Sequence, residues 1–220
     1  MRILAVSDRE EPILHEYFER ERWGQIDLII SCGDLPPDYL EFLESSFNVP
    51  LFYVRGNHDL TYDEERPGGC DNLDGKVVKF AGLRFLGLQG SFFYGGRDLQ
   101  YTEGQMRRKI WGSLPSVWLA GGIDVVVTHA PPRYCEDDEC SRPHGYGLAC
   151  ARHDERTCAD ASDIPHRGFR SLRGLMLKHK PRYLLHGHTH LNYRLGTRRR
   201  EVASTEVIDC YGHVILEIDK

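Results

Sequence analysis

The stretch Leu184–His190, LLHGHTH, joins an apolar run to a glycine and then to two histidines separated by one residue. On an extended backbone, side chains two positions apart point to the same side. The stretch therefore predicts a buried strand whose end presents His188 and His190 to a common ligand, such as a metal ion. Two surface histidines can share this spacing by chance, so the interpretation depends on the other strand ends.

Four other apolar runs also end in residues that can bind metal. The run Ile3–Val6 leads to Asp8 and Glu10, and the run Leu28–Ile30 leads to Asp34. The run Leu51–Val54 leads to Asn57 and His58, and the run Val125–Val127 leads to His129. Continuous apolar runs are typical of strands buried on both faces. Open α/β sheets bind ligands beyond the carboxyl ends of their strands. We therefore expect the five strand ends to form one site.

The first 60 residues predict a β-α-β-α-β arrangement with a parallel sheet and right-handed crossovers. Pro12 opens the first predicted helix and Pro36-Pro37 opens the second, because proline suits the first helical turn. Beyond this region, Lys76–Phe80 and Leu83–Leu88 flank Ala81-Gly82 and predict a hairpin,.

Two later helices and several short strands complete the pattern. One helix runs from a capping box at Thr102 to about Leu119, and the other covers 168–180,. Strands are predicted at 123–127 and 183–185. The C-terminal segments 192–195, 202–210 and 213–218 are predicted to be short antiparallel strands around a turn at Gly212.

Composition limits the classes of function. The chain has 220 residues, 40% hydrophobic and 28% charged, which fits one domain over 1–220 with a sizeable core,. A formal net charge of −5 makes nucleic acid a disfavoured partner,. The apolar runs are shorter than the roughly 20 residues of a membrane span. The N-terminus shows no signal-peptide pattern, so we expect a cytoplasmic protein without membrane contact.

The strand-end residues combine carboxylates, an amide oxygen and imidazoles. This donor set suits divalent manganese, iron or zinc. Seven candidate ligands exceed what one tetrahedral ion needs but fit two ions that share a carboxylate. Such ions, about 3.5–4 Å apart, can clamp a phosphate and activate a water, so hydrolysis of a phosphate ester is expected. The candidate ligands are Asp8, Glu10, Asp34, Asn57, His129, His188 and His190.

The ordered set resembles the calcineurin-like metallophosphoesterase superfamily, whose motifs run D-x-H, G-D, G-N-H-[DE], a later histidine and G-H-x-H. The resemblance implies an α/β fold, a four-layer α-β-β-α sandwich of two mixed sheets flanked by helices. It also implies two metal ions bridged by Asp34, with a metal-bridging hydroxide as the nucleophile. By similarity, one ion takes Asp8, Glu10, Asp34 and His190, and the other takes Asp34, Asn57, His129 and His188.

By the same resemblance, His58 is a catalytic residue and not a ligand. Its family counterpart contacts the phosphate and protonates the leaving oxygen, and an alkoxide leaving group benefits from such a general acid. Asp59 is a candidate to hold the His58 ring. Arg55 is a candidate phosphate contact or a solvated surface residue.

Glu10 stands where the family pattern has histidine. One interpretation keeps it as a ligand, and the added negative charge then favours a harder ion such as manganese or magnesium. The alternative is an acidic residue before a helix, where the helix dipole favours it. We prefer ligation because the spacing from Asp8 is that of the family.

A cysteine-rich insertion is predicted at about 133–166, between His129 and the later helix. It holds Cys135, Cys140, Cys150, Cys158, His144, His153 and His166. A structural zinc, two disulfides or free thiols all fit this loose spacing. The insertion's arginines and the Phe92–Tyr94 loop are candidates for substrate contact, with surface exposure and packing as alternatives.

These observations predict an enzyme, a metal-dependent phosphoesterase acting as a two-metal hydrolase of phosphate esters, with a phosphodiesterase preferred. Manganese is the favoured metal, with iron or zinc as alternatives. A phosphomonoesterase or nuclease of the same fold is the nearest alternative. A non-catalytic scaffold is another, because some relatives, such as a retromer subunit, keep this fold but lose ligands. The substrate and the oligomeric state stay open.

Overall fold

A computed structural model describes residues 1–133, 166, 168–190 and 198–218. Its strands are β1 (Arg2–Ser7), β2 (Leu28–Ser31), β3 (Leu51–Tyr53), β4 (Cys70–Asn72), β5 (Val77–Phe80), β6 (Leu83–Leu88), β7 (Ser91–Phe92), β8 (Gln100–Tyr101), β9 (Val125–Thr128), β10 (Tyr183–His186), β11 (Arg199–Val202), β12 (Thr205–Asp209) and β13 (Gly212–Glu217). The α-helices are α1 (Pro37–Phe47), α2 (Glu103–Ala120) and α3 (Arg170–His179), and 3-10 helices cover Pro12–Leu14, Arg20–Trp23 and Leu60–Asp63.

Two large mixed sheets form the centre of the described structure. The first has the order β13-β1-β2-β3-β4, with β1 to β4 parallel and β13 antiparallel to β1. The second has the order β11-β12-β10-β9-β6-β5, in which β12, β10, β9 and β6 are parallel. Its edge strands β11 and β5 run antiparallel to their neighbours. Both parallel cores therefore direct their carboxyl ends to one edge of their own sheet.

Alternating side chains divide the core into layers. Ile3 and Ala5 of β1 lie in the cluster between the two sheets, with Val127 of β9 and Leu185 of β10. The intervening residues of β1 pack on the opposite face of the first sheet against α1. The alternate residues of β9 and β10, whose side chains point to the other face of the second sheet, pack against α2 and α3. This arrangement confirms the four-layer α-β-β-α prediction.

The helix predictions had mixed outcomes. The α1 helix and the hairpin of β5 and β6 are confirmed, as is α2 with its capping box between Thr102 and Gln105. The first crossover was predicted to be an α-helix, which is wrong, because two short 3-10 helices occupy it. Here single aromatic contacts, such as Phe18 against Phe42, attach the segment to α1 and replace a continuous apolar helix face.

The C-terminal prediction also needs a correction. β12 and β13 were expected to be antiparallel around Gly212, but they belong to different sheets. Gly212 has a φ of 67° where the chain crosses from the second sheet to the first. The strand predicted at 192–195 lies outside the described residues. So does the cysteine-rich insertion, except Arg133 and His166, and the single-domain organisation stays a prediction.

Candidate metal centre

The carboxyl ends of the parallel strands bring three candidate ligands together. Donor atoms of Asp34, His129 and His188 all lie within 4.8 Å of one another. Asp34 follows β2, His129 follows β9 and His188 follows β10, so both sheets contribute. One carboxylate and two imidazoles at this separation match the donor chemistry of a divalent cation site.

His129 is completely buried and its orientation is fixed from both sides. Its Nδ1 lies 2.8 Å from the carbonyl oxygen of Cys32, to which a protonated Nδ1 donates a hydrogen bond. Its Nε2 lies 3.1 Å from Asn57 Oδ1 and 3.3 Å from Asp34 Oδ2. Because both neighbours of Nε2 are oxygen acceptors, a cation at this point satisfies all three atoms. A second hydrogen bond that fixes a histidine tautomer is typical of metal-binding histidines.

The same geometry shifts the pKa values of the buried groups. Burial alone lowers the pKa of His129, but the Asp34 carboxylate, helped by Asp8, raises it to about 9. Burial raises the pKa of Asp34, yet the charge and hydrogen bond of His129 lower it to about 2. Burial raises the pKa of Asp8. The cluster therefore stabilises one positive charge at its centre, which a metal ion can supply in place of a proton.

Asp8 anchors the other side of the cluster. Its two carboxylate oxygens lie 3.0 and 2.9 Å from the backbone N–H of His188, which donates to them. The Nε2 atom of His190 lies 3.9 Å from Asp8 Oδ1. The Asp8 side chain is 1% exposed, whereas the His190 side chain is 62% exposed. The His190 ring also lies 5.5 Å from the ring of Tyr211.

The backbone at the strand ends is left-handed. Asp8, Asp34 and His188 have φ values of 63°, 57° and 68°. Non-glycine residues in this region carry strain that is common at functional sites. Our expectation that His188 and His190 lie just beyond a strand end is confirmed, since β10 ends at His186, but the backbone at His188 is left-handed and not extended. Both histidines reach the site through the turn that follows the strand.

Two glycines in the motifs allow the loops to approach closely. A Cβ atom on Gly56 would overlap Asp34 Oδ1 and lie 2.7 Å from His129 Cε1. A Cβ atom on Gly187 would overlap Ser7 Oγ and Asp8 Oδ2. These positions therefore have no room for a side chain.

Asp59 connects the loops around the bridging carboxylate. Its Oδ2 accepts hydrogen bonds from the backbone N–H groups of Asp34, at 2.8 Å, and Gly56, at 2.7 Å. Burial, followed by the charge of Asp34, raises its pKa to about 6. The Asp59 side chain, a candidate to hold the His58 ring, therefore binds the backbone of Asp34 and Gly56. His58 is exposed, and its backbone N–H donates to Asp34 Oδ1 at 2.8 Å.

Glu10, a predicted metal ligand, and Arg55, a candidate phosphate contact, have other partners. Glu10 lies outside the cluster, with its side chain 48% exposed and its carboxylate 3.9 Å from His15 Nδ1. Arg55 is ion-paired with Asp63 at 2.8 Å and donates to Gln89.

Three residues outside the predicted ligand set also lie at the site, and of these only the aromatic loop with Tyr94 had been a candidate for it. The Tyr94 hydroxyl accepts a hydrogen bond from Asn57 Nδ2 at 3.1 Å, so part of the aromatic loop does reach the site. Asp209 Oδ2 accepts a 2.7 Å bond from Thr189, between the two histidines. The His166 ring lies beside His188 and His190. A polar residue at the end of β12 was a sequence signal for Asp209, whereas His166 had been considered only with the cysteines.

Comparison with known proteins agrees with this geometry. A profile of the family described as calcineurin-like phosphoesterase matches residues 1–192. Metallophosphoesterase domain-containing protein 1 of Homo sapiens is 25% identical over 171 residues, covering 60% of this chain and 48% of that protein. The Mus musculus protein of the same name gives the same values. The chain spans about half the length of the curated relatives it matches.

A solved structure shows the same fold. The crystal structure of the Thermus thermophilus protein TT1561 superimposes with a TM-score of 0.60, covering 96% of this chain and 89% of that one. The sequences are 14% identical. At this identity the similarity extends to the fold alone.

Proposed function

This chain belongs to the calcineurin-like phosphoesterase family, and we propose that it is a two-metal hydrolase that cleaves phosphodiesters. The observation that carries the proposal is the convergence of Asp34, His129 and His188, whose donor atoms lie within 4.8 Å of one another. Family membership alone supports a metal-dependent phosphoesterase that acts on phosphate esters.

We assign two ligand sets that share Asp34. The first, with Asp34, Asn57, His129 and His188, is supported by the 3.1 and 3.3 Å contacts of His129 Nε2. The second adds Asp8 and His190 to Asp34, supported by the 3.9 Å separation of His190 Nε2 from Asp8. Glu10 stays a predicted ligand of the second set, which requires its carboxylate to leave His15. Oxygen and imidazole donors suit manganese, with iron or zinc as alternatives.

When bound, the two ions would polarise the phosphoryl oxygens and lower the pKa of a water molecule. The protein residues then have separate tasks. Asp34 is fixed from two directions, because its Oδ1 accepts the His58 N–H and its backbone N–H donates to Asp59. The exposed imidazole of His58 can protonate the leaving ester oxygen at the rim of the site,.

A cavity beside the site supports a diester over a monoester. It has a volume of about 540 Å³ and is lined by Arg55, Phe93, Arg97 and Tyr101 among others. Arg55 immediately precedes Gly56, and Phe93 immediately precedes Tyr94, which contacts Asn57. A phosphodiester has a second substituent that must be accommodated, and this cavity offers the aromatic side chains of Phe93 and Tyr101 for it. Its two arginines are balanced by Asp63 and Asp98, which also line it, and Arg55 is ion-paired with Asp63.

We also propose a cytoplasmic location. None of the α-helices in the described ranges is long and apolar enough to cross a bilayer. Cys32, Cys70 and Cys210 are free thiols, which is consistent with the proposed cytoplasmic location,.

Hydrolysis assays test the function directly. The full chain, loaded with Mn²⁺, should cleave a chromogenic phosphodiester faster than the matching monoester, and chelation should abolish the activity. Faster monoester cleavage would contradict the diester preference alone. A protein that binds Mn²⁺ but cleaves neither ester would be a non-catalytic scaffold, and the proposal would be wrong.

A further inference from the structure

We propose that His166, from the predicted cysteine-rich insertion, is a metal ligand at the ion that Asp8 and His190 hold. This inference rests on the proposed two-metal function. The His166 ring centroid lies 5.0 Å from that of His188 and 5.5 Å from that of His190. Three imidazoles therefore meet on the Asp8 side of the cluster, and His166 is half-buried among them.

The ring separations fit imidazoles that share a cation. A nitrogen–metal bond of about 2.0–2.1 Å places the ring centre roughly 3.2 Å from the ion. Two rings on one ion, at angles of about 90–120°, are then about 4.5–5.5 Å apart. The proposed ligands His129 and His188 are separated by 4.7 Å and meet this criterion. His166 and His190, the pair proposed to share the other ion, are separated by 5.5 Å, at the upper end of this range.

The ligand count shows why a further donor is needed. The ion near His129 has four protein ligands, counting the bridging Asp34. The ion near Asp8 has three, namely Asp8, Asp34 and His190, once Glu10 is left with its partner His15 at 3.9 Å. His166 brings this set to four. It thus takes the coordination position that the sequence analysis gave to Glu10.

Charge favours the histidine as well. With Glu10 as a ligand, three carboxylates face two divalent ions. A neutral imidazole in its place leaves the metal centre with one more net positive charge, which strengthens its attraction for a phosphate. His166 would then complete the metal centre.

Mn²⁺ titration of the full chain tests the proposal without any activity measurement. Isothermal titration and elemental analysis should show two Mn²⁺ per wild-type chain. In H166A one of the two should bind at least ten-fold more weakly, while the other is unchanged. The control H179A, at the end of α3, should match the wild type. E10A tests the competing assignment and should keep both ions if His166 takes the position predicted for Glu10.

Further variants separate coordination from folding. H166D introduces another metal-binding side chain and should restore part of the Mn²⁺ affinity lost in H166A, whereas H166Q should not. A loss of the second ion in all three variants, together with a lower melting temperature, would indicate a structural role and overturn the proposal.

The outcomes also distinguish this inference from the function it rests on. If the wild type binds two Mn²⁺ and H166A binds both with wild-type affinity, the His166 assignment is wrong and the two-metal function stands. A higher KM in H166A with unchanged metal affinity would make His166 a substrate contact, which also overturns it. If E10A loses the ion and H166A does not, Glu10 is the ligand. A wild-type chain that binds fewer than two Mn²⁺ contradicts the proposed function itself.

Discussion

The two halves of the candidate metal centre differ in how completely the fold builds them. His129, Asn57 and His188 are 0%, 2% and 4% exposed, and hydrogen bonds or close contacts fix each of them. In the other half, Asp8 is buried but the His190 side chain is 62% exposed. The packed strands preorganise the first, buried half. The second, open half depends on the turn after β10 and, in our proposal, on a residue from the insertion.

In our proposal Asp34 belongs to both halves, so its loss should have the largest effect. We expect D34N to lose both ions and to reduce kcat/KM by at least about 1,000-fold, roughly 4 kcal/mol in transition-state stabilisation. Elemental analysis and initial rates on the phosphodiester measure these two effects. The exposed D38N on α1 is the control. Retention of two tightly bound ions in D34N would show that the halves do not share this carboxylate.

His58 lies at the rim and is assigned no ion, so its removal should affect chemistry alone. We expect H58A to lower kcat by about 100-fold or more on an alkyl ester, because general-acid catalysis typically contributes this much. The loss should shrink on a nitrophenyl ester, whose leaving oxygen needs little protonation. Metal content should stay at the wild-type value, and H179A should behave as the wild type. A fall in bound metal in H58A would make His58 part of one of the halves.

Alanine at each of the two histidines compares the halves directly. H188A removes a buried ligand and should weaken one Mn²⁺ by about 100-fold, whereas H190A, at an exposed position, should weaken the other by about 10-fold. Separate titrations with Mn²⁺ measure both affinities. Equal losses would mean that burial does not control how strongly each half binds its ion.

The buried half was largely predictable from sequence. Asp34 and His129 each follow an uninterrupted apolar run, which identifies a buried parallel strand and locates its carboxyl end. The left-handed backbone of Asp34 and His188 could not be predicted, because local preferences assign such φ values mainly to glycine. Hydrogen bonds from the backbone N–H of Asp34 to Asp59, and from that of His188 to Asp8, accompany these conformations and join loops far apart in sequence.

The open half was predicted less well for a related reason. The spacing from Asp8 to Glu10 indicates a common direction only on an extended backbone, but β1 ends at Ser7 and Asp8 is left-handed. His166 has no apolar periodicity around it, so its approach to His190 depends on tertiary structure alone. A segment without a repeating pattern gives no information about where its side chains lie.

Protonation of His129 sharpens the comparison in the metal-free protein. Its pKa is raised to about 9, above the value of about 6.5 expected in the unfolded chain,. The protonated form therefore stabilises the fold fully below pH 6.5, and this contribution is lost as the pH rises through 9. After chelation, the free energy of unfolding should fall by at most about 1.4 kcal/mol per pH unit in this window.

H129N should flatten this dependence of the free energy of unfolding on pH, and H190A should not, because only the buried half holds this proton. Chemical denaturation at pH 6, 7.5 and 9 measures the slope. An unchanged slope in H129N would place the titrating group elsewhere.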